Sequence, residues 1–352
     1  MKRKKRYMLL LVLAGGLLLG GCSGGKDIQS KAKETEENSL EIGMSFDSFV
    51  IERWMRDRDV FVSTAQSLGA AVNVQNANGN VEEQISQIEY FIQKKMDVIV
   101  IIAIDGERLQ EVAVRAKEAG IKIICYDRLI MNADADLYIS FDNEKVGTLM
   151  GEALSAALPE GGDIFAIYGS QSDHNVTQVN EGLTKALEGS GLNIVYSAYC
   201  ENWLAELAFD AVNEGLSGHR DIVGVMCGND DLASQAIKAL SEQRLAGKVA
   251  VVAQDADLSA CQHIVEGTQT MTVYKPVEEL AKKAARLAVE LGQGQDITGE
   301  GAQLRVKNTI NDGENDIPYF SIEPVAVTAD NMDSVIIDSG FHLKEDVYLN
   351  VK

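Results

Sequence analysis

The sequence predicts a doubly wound α/β protein built from two similar lobes. From Leu40 to Leu291, short apolar runs alternate with amphipathic segments, and this alternation is typical of βαβ units on a parallel sheet. The pattern occurs as two consecutive series, the second of which begins after the run LYISFDNEK at residues 137–145. The length of 352 residues also exceeds one ordinary compact core, which favours two domains.

The first series predicts four strands and three helices. The apolar runs LEIGMSF, AAVNVQNA, MDVIVIIAI and IKIICYD predict the strands, and the third is continuous, as in strands that are buried on both faces of a sheet. Ile85, Ile88 and Ile92 repeat at helical spacing between two of these runs. Helices are therefore expected over residues 51–68, 81–95 and 107–119.

The second series repeats this alternation and sets the expected lobe boundaries. Strands are predicted within DIFAIYG, LNIVYSAY, DIVGVMCGND, KVAVVAQDAD and IVEGTQTMTVYKP. Helices are predicted over residues 146–158, 175–188, 203–215, 232–243 and 277–291. We assign residues 40–142 with about 277–308 to an N-lobe, and residues 143–276 with about 309–342 to a C-lobe.

The first 39 residues predict an export signal and a tether. Five basic residues at positions 2–6 precede an apolar run, Met8 to Leu19, which is short for a membrane-spanning helix. The following LGGC resembles a bacterial lipobox, which implies that residues 1–21 are a signal peptide and that Cys22 is acylated. A simple secreted protein and an uncleaved anchor are the alternatives. Residues 22–39 have almost no apolar content and predict a flexible, lipid-anchored tether.

Charge and cysteine spacing argue against several classes of protein. The chain has 32 basic and 53 acidic residues, and removal of residues 1–21, with five basic and no acidic ones, takes the net charge from −21 to −26. Such a protein is poorly suited to bind nucleic acid phosphates. The remaining cysteines, and likewise the histidines, show no metal-ligand spacing, so neither a metal nor a cofactor is expected. Cys125 and Cys227 lie at the ends of apolar strand-like runs, where buried free thiols are expected. A disulfide among Cys125, Cys200, Cys227 and Cys261 is left open.

Polar side chains follow one predicted strand after another. Ligands of doubly wound sheets bind beyond the carboxyl ends of the strands, so these positions are candidates for a binding site. Some of them, including Asp230, Asp231 and Asp257, also fit ordinary helix N-caps. Carboxylates, amides, guanidinium groups and an ammonium group together suit a neutral ligand with many hydroxyls. Trp54 and Trp203 offer flat faces on which a sugar ring stacks, although either could simply pack in the core.

Seven stretches between about Leu40 and Gly292 resemble those of a known family. They are ERWMRDRDVF, VQNANGN, QISQIE, YDRLI, YISFDNEKVG, AQDAD and GTQTMTVYKP. They resemble the periplasmic sugar-binding proteins of ABC importers, in the ribose/galactose/xylose group, and most of all its xylose-binding branch. The resemblance implies a periplasmic-binding-protein-like type I fold, with two Rossmann-like lobes and a three-segment hinge. It also implies a monomer that captures one monosaccharide, a pentose with D-xylose favoured, and delivers it to an ABC permease.

The resemblance implies that ligand residues come from both lobes. Trp203 is expected to stack on the sugar ring, and Asp142 and Asn143 are expected at the hinge rather than on the ligand. The implied sugar ligands are Arg53, Trp54, Asp127, Arg128, Asp173, Asn175, Trp203, Asn229, Asp255 and Lys275. Two alternatives remain at this stage: a sugar sensor that acts on a membrane histidine kinase or chemoreceptor, and a sugar-modifying enzyme. No GxSxG, HExxH, Walker or GxGxxG motif supports an enzyme.

Overall fold

Two β-sheets organise the chain. The computed structural model describes residues 39–351, so the predicted signal peptide, most of the tether and Cys22 lie outside the described residues. The strands are β1 (Leu40–Phe46), β2 (Ala70–Asn76), β3 (Val98–Ile101), β4 (Lys122–Tyr126), β5 (Leu137–Phe141), β6 (Gly162–Tyr168), β7 (Leu192–Tyr199), β8 (Gly224–Cys227), β9 (Ala250–Gln254), β10 (Met271–Tyr274), β11 (Asn308–Asn311), β12 (Asp316–Ile322) and β13 (Val325–Val327).

Each sheet belongs to one lobe. The N-lobe sheet has the order β11-β12-β5-β4-β3-β1-β2, and the C-lobe sheet has the order β13-β10-β9-β8-β6-β7. The pairings are parallel except for β11 with β12 and β10 with β13. The doubly wound two-lobe architecture predicted from the sequence is therefore confirmed.

Helices cover the faces of both sheets. They are α1 (Arg53–Ser67), α2 (Val81–Lys94), α3 (Gln110–Glu118), α4 (Asn143–Ala157), α5 (His174–Leu187), α6 (Glu206–Gly218), α7 (Asp230–Glu242), α8 (Leu258–Glu266), α9 (Val277–Gly292) and α10 (Lys344–Val347). The sequence analysis did not predict α8. It also placed Trp203 at the start of a helix, whereas Glu201–Trp203 forms a short 3-10 turn and α6 begins at Glu206. Within residues 39–351, no helix combines the length and apolarity needed to cross a membrane.

Helix α2 shows how local sequence fixes an element. The side chain of Asn80 accepts hydrogen bonds from the backbone N–H groups of Glu82 and Glu83, which caps the helix at its start. Lys95 adopts a left-handed conformation with φ of 58° and ends it. The buried face includes Phe91, whose ring lies so close to Gly43 of β1 that a Cβ there would be 2.6 Å from it. A glycine at position 43 is therefore what lets α2 pack onto the sheet.

The chain passes between the lobes three times, between β5 and α4, β10 and α9, and β12 and β13. The sequence reading put the third crossing near residue 308. The structure instead places Asn308–Ile322 in the N-lobe, because β12 pairs in parallel with the edge of β5, with Tyr319 opposite Tyr138. The C-lobe resumes only at Val325. Strand-like runs of this kind fit the edge of either sheet, so the sequence alone did not fix the boundary.

The two lobes are closed on each other. Asn175 of the C-lobe donates from Nδ2 to the backbone oxygen of Asp127 in the N-lobe at 3.1 Å. Nearby, Ser172 donates from Oγ to the backbone oxygen of Ile104 at 3.1 Å. These contacts bring the carboxyl ends of both sets of strands to one shared cleft.

Candidate functional site

A narrow cavity with only about 20 Å³ of free space lies between the lobes. Ligand pockets usually enclose about 300–1,000 Å³, so a sugar ring would enter only after the lobes or the lining side chains move apart. All of the sequence-predicted ligand residues line it except Asn229. The lining residues are Ile51, Arg53, Trp54, Asp127, Arg128, Asn143, Asp173, Asn175, Trp203, Gln254, Asp255 and Lys275.

Arg53, at the first position of α1, is held by two carboxylates. Its Nη1 lies 2.9 Å from Oδ2 of Asp127, while Nε and Nη2 donate to Asp57, one helical turn away, at 3.2 and 3.1 Å. Tyr126 also donates its hydroxyl to Asp57. Burial alone would lower the pKa of Arg53, but Asp127 and Asp57 outweigh it and raise that pKa well above its usual value. Arg53 is thus a fixed cation whose orientation depends on the buried Asp57.

Arg128 joins the lobes through two further carboxylates. Its Nη1 donates to Oδ2 of Asp47 at 2.8 Å and to the backbone oxygen of Ala103 at 3.1 Å. Its Nε lies 2.8 Å from Oδ2 of Asp173 in the C-lobe. Burial raises the pKa of Asp47 and Asp173 despite the neighbouring guanidinium. Arg128 therefore contributes both to the cavity wall and to lobe closure.

Asp127 is a cavity carboxylate that its neighbours keep ionised. Burial alone would raise its pKa, but Arg53, then Lys275 and Arg128, outweigh burial and lower the pKa below its usual value. An ionised carboxylate accepts strong hydrogen bonds from hydroxyl groups. Asp127 is therefore suited to accept from a sugar hydroxyl.

Lys275 pairs with Asp255 within the C-lobe, with Nζ 2.6 Å from Oδ1. Each of the three buried cations of the cavity, Arg53, Arg128 and Lys275, thus already has a carboxylate partner. A charged ligand would upset this balance. A neutral ligand with hydroxyl groups can use the remaining donors and acceptors without leaving a buried charge unpaired.

The backbone of the site is strained at three loops. Asp127 has φ of 64°, Trp203 has φ of 58°, and Asp255 and Ala256 have φ of 105° and 56°. Residues other than glycine rarely adopt this left-handed region, at a cost of about 1–3 kcal/mol each. Strain of this kind concentrates at ligand-binding sites, where the fold holds a side chain in a required direction.

Two cavity residues were missed as ligand candidates. Asn143 was placed at the hinge, and its backbone does open α4 there, but its Nδ2 donates to Oδ1 of Asn175 at 3.0 Å and the residue lines the cavity. Gln254 ends β9 and donates from Nε2 to the backbone oxygen of Gly228 at 2.6 Å. Its place directly before Asp255 was the available signal in the sequence. Asp142, by contrast, caps α4 by accepting from the backbone N–H of Lys145, as expected.

Trp203 sits in a slot made by two glycines. A Cβ on Gly169, after β6, would lie 2.2 Å from Cη2 of the indole, and one on Gly228, after β8, would lie 3.1 Å from Cζ3. Any larger side chain at Gly169 would displace the ring. The guanidinium of Arg53 lies 4.4 Å from the ring centre of Trp54, the other tryptophan of the cavity. Both tryptophans thus have defined positions at the cavity wall.

Asn229 does not line the cavity. It caps α7, where its Oδ1 accepts from the backbone N–H of Leu232 at 3.0 Å. Its Nδ2 is buried without a hydrogen-bond partner among the described residues, as are Nε1 of Trp54, Nε1 of Trp203 and Oε1 of Gln254. Buried polar atoms normally have partners, so the three of these atoms that belong to cavity residues, those of Trp54, Trp203 and Gln254, offer capacity for a hydroxylated ligand. A direct ligand role for Asn229 stays a prediction.

Other chemistry finds little support in the described part of the chain. Residues 39–351 contain no group of three or more His, Cys, Asp or Glu arranged to hold a metal ion. Cys125, Cys200, Cys227 and Cys261 are buried free thiols, which confirms the expectation for Cys125 and Cys227. Burial raises the pKa of the Cys125 thiol to about 12, so it stays protonated and unreactive at neutral pH.

Comparison with known proteins agrees with this geometry. The family described as "Periplasmic binding protein domain" matches residues 42–296. The D-xylose-binding periplasmic protein of Haemophilus influenzae is 44% identical over 90% of this chain and 95% of its own length. That of Escherichia coli is 42% identical over 96% of this chain and 98% of its own length.

A solved structure supports the same assignment. A carbohydrate transporter solute-binding protein from Chloroflexus aurantiacus, in complex with D-glucose, superposes with a TM-score of 0.80 at 27% identity, over 88% of this chain and 98% of that chain. The relatives of this chain in Haemophilus influenzae and Escherichia coli are named as periplasmic proteins, which indicates export. The family consists of solute-binding transport components rather than enzymes. The chain belongs to the periplasmic binding protein family, as one of its sugar-binding members.

Proposed function

We propose that the protein captures one monosaccharide, D-xylose before others, in the interlobe cavity and delivers it to an ABC importer. The observation that carries the proposal is the lining of the interlobe cavity, where both lobes supply hydrogen-bonding groups and tryptophan faces while the buried charges are already paired. The identity of 42–44% to two D-xylose-binding proteins supports xylose as the preferred sugar.

Closure couples binding to a change of shape. The N-lobe contributes Arg53, Trp54 and Asp127, and the C-lobe contributes Trp203 and Asp255, so a sugar can contact both sets only when the lobes are together. A ligand shifts an equilibrium by its difference in affinity for the two states. Sugar contacts made to both lobes therefore favour the closed form, which we propose is the form that a permease recognises.

Isothermal titration calorimetry tests the sugar. The purified protein, with residues 1–22 removed, is titrated with D-xylose, D-ribose, L-arabinose and D-glucose. The expected result is 1:1 binding with D-xylose tightest. Tight binding of glucose or ribose without heat from xylose would remove the xylose assignment, and no heat from any of them would contradict monosaccharide binding.

We further propose that acylated Cys22 holds the protein at the outer face of the cytoplasmic membrane, near the permease. Residues 22–39 then act as a tether that raises the effective concentration of the protein at its partner. No observation favours a sensing role over delivery. Genes for a permease and an ATPase beside the coding gene would support import, and a gene for a histidine kinase in their place would support sensing.

A further inference from the structure

A short C-terminal segment touches the N-lobe outside the sugar cavity. Phe341 and His342 follow β13 and belong to the C-lobe, where the ring of Phe341 packs against that of Tyr274 with centroids 4.9 Å apart. The backbone oxygen of Phe341 nevertheless accepts two hydrogen bonds from Arg56 of α1, at 3.2 and 3.1 Å. This contact joins the two lobes.

The Arg56 contact is specific to an arginine. The guanidinium centre lies 4.3 Å from the ring centre of Phe341, so it stacks on the aromatic face while donating to the carbonyl oxygen of the same residue. Among residues 39–351, no carboxylate lies within ion-pair distance of Arg56, which makes Phe341 its principal partner. A lysine could provide the charge but not the two-pronged, planar contact.

The neighbouring His342 contacts a ligand loop. Its Nε2 lies 2.8 Å from the backbone oxygen of Ala256. Burial lowers the pKa of His342, so the ring is neutral at neutral pH, and the hydrogen bond places its proton on Nε2. Ala256 directly follows the cavity carboxylate Asp255, and both have left-handed backbones. His342 thus helps to hold the loop that presents Asp255.

These two contacts connect ligand-bearing elements of opposite lobes. Arg56 lies three residues after Arg53 on α1, so its contact with Phe341 depends on the position of the helix that carries a cavity cation. His342 is bonded to the Asp255–Ala256 loop. Neither Phe341 nor His342 lines the cavity.

We propose that Phe341 and His342 form an interlobe latch that stabilises the closed lobes and sets sugar affinity without touching the sugar. The inference rests on the proposed function, since it concerns release from the same cavity. We expect opening of the lobes to break the contact between Arg56 and Phe341, because the two residues belong to different lobes, so the contact would add to the barrier for release. Arg56, Phe341 and His342 are therefore positioning residues whose loss accelerates sugar dissociation.

Stopped-flow tryptophan fluorescence with D-xylose measures both rate constants, because Trp54 and Trp203 line the cavity. Arg56→Ala is expected to raise the dissociation rate about 5- to 30-fold, with the association rate unchanged within about twofold. Arg56→Lys is expected to lie between the wild type and Arg56→Ala. Arg58→Ala is the matched control, since Arg58 on the same helix pairs with its neighbour Asp59 and lies over the ring of Phe49, both in the N-lobe.

A double-mutant cycle tests the pairing. Phe341→Leu removes the ring but keeps the carbonyl oxygen, and Arg56→Ala/Phe341→Leu is expected to release sugar more slowly than the two single effects combined would predict. A dissociation rate in Arg56→Ala equal to that of Arg58→Ala, or fully additive effects in the double variant, would overturn the latch. If the wild type binds D-xylose and Arg56→Ala releases it at the wild-type rate, the latch fails but the proposed function stands. A wild type with no signal for any of the four sugars would overturn both.

Discussion

Asp127→Asn tests the central claim about the cavity. Asparagine keeps the shape of the side chain, retains an acceptor oxygen and tolerates the left-handed backbone at φ of 64°. Alanine would add about 1–2 kcal/mol of backbone strain at that position, so it would confuse binding with folding. The substitution therefore removes the negative charge and little else.

The size of the effect follows from the contacts of Asp127. Its Oδ2 faces Arg53 at 2.9 Å, and its Oδ1 accepts from Asn175 of the C-lobe at 3.2 Å. Hydrogen bonds to charged groups contribute about 1.5–3 kcal/mol, so loss of a carboxylate–hydroxyl bond should weaken sugar binding about 10- to 150-fold. Stability should change less, because Asp57 still pairs with Arg53.

Calorimetry at pH 7 measures the dissociation constant, and urea unfolding without sugar measures stability. Asp59→Asn is the matched control, because that carboxylate lies on α1 and is exposed. The lowered pKa of Asp127 means that its ionised form contributes fully above pH 3.8, the usual value, and is lost only as the pH falls through the lower folded value. A dissociation constant for Asp127→Asn within threefold of the wild type would refute the assignment of this carboxylate to the sugar.

Three other substitutions probe separate parts of the chain. Gly169→Ala should displace Trp203 and weaken D-xylose binding at least about tenfold by calorimetry, whereas Gly301→Ala, in open space, should not. Burial, then Asp255 and Glu52, raise the pKa of Asp231 to about 6. Urea unfolding should therefore show that the wild type loses stability relative to Asp231→Asn as the pH rises from 4 to 7. Parallel curves of stability against pH for the two proteins would contradict this. Cys22→Ala should move the protein from the membrane to the soluble fraction on ultracentrifugation, and continued membrane retention would argue against acylation.

Much of the fold was predictable because each βαβ unit carries its own signal. The apolar runs of β3 and β4 are continuous, and α2 has a regular buried face, a capping asparagine and a clear end. Helix α8 and the boundary after α9 were harder to predict. Helix α8 has only nine residues, and the strand β12 pairs with β5, which precedes it by about 180 residues. Pairing over that separation is a tertiary property that no local pattern encodes.

The site was predictable to a similar degree, and for a comparable reason. Residues directly after strands, such as Asp127 and Asp255, had to reach the shared edge of the sheets once the fold was known. Asn229 shows the limit of that rule, because its side-chain oxygen caps α7 instead of facing the cavity. Asn143 shows the opposite error. A residue beside a cap was assigned to the hinge, although its amide turns inward to Asn175. Position after a strand predicts proximity to the site, but not the direction of the side chain.

The separate partners of Asp127 and Arg128 explain why two adjacent charges follow a buried strand. They do not pair with each other: Asp127 faces Arg53, and Arg128 bridges Asp47 and Asp173. Adjacent residues point in different directions here because Asp127 has a left-handed backbone. A pair of buried charges serving stability alone would gain little after desolvation. Both residues instead line the cavity, and Arg128 also fastens the lobes through Asp173, so recognition and closure are built from neighbouring positions on a single loop.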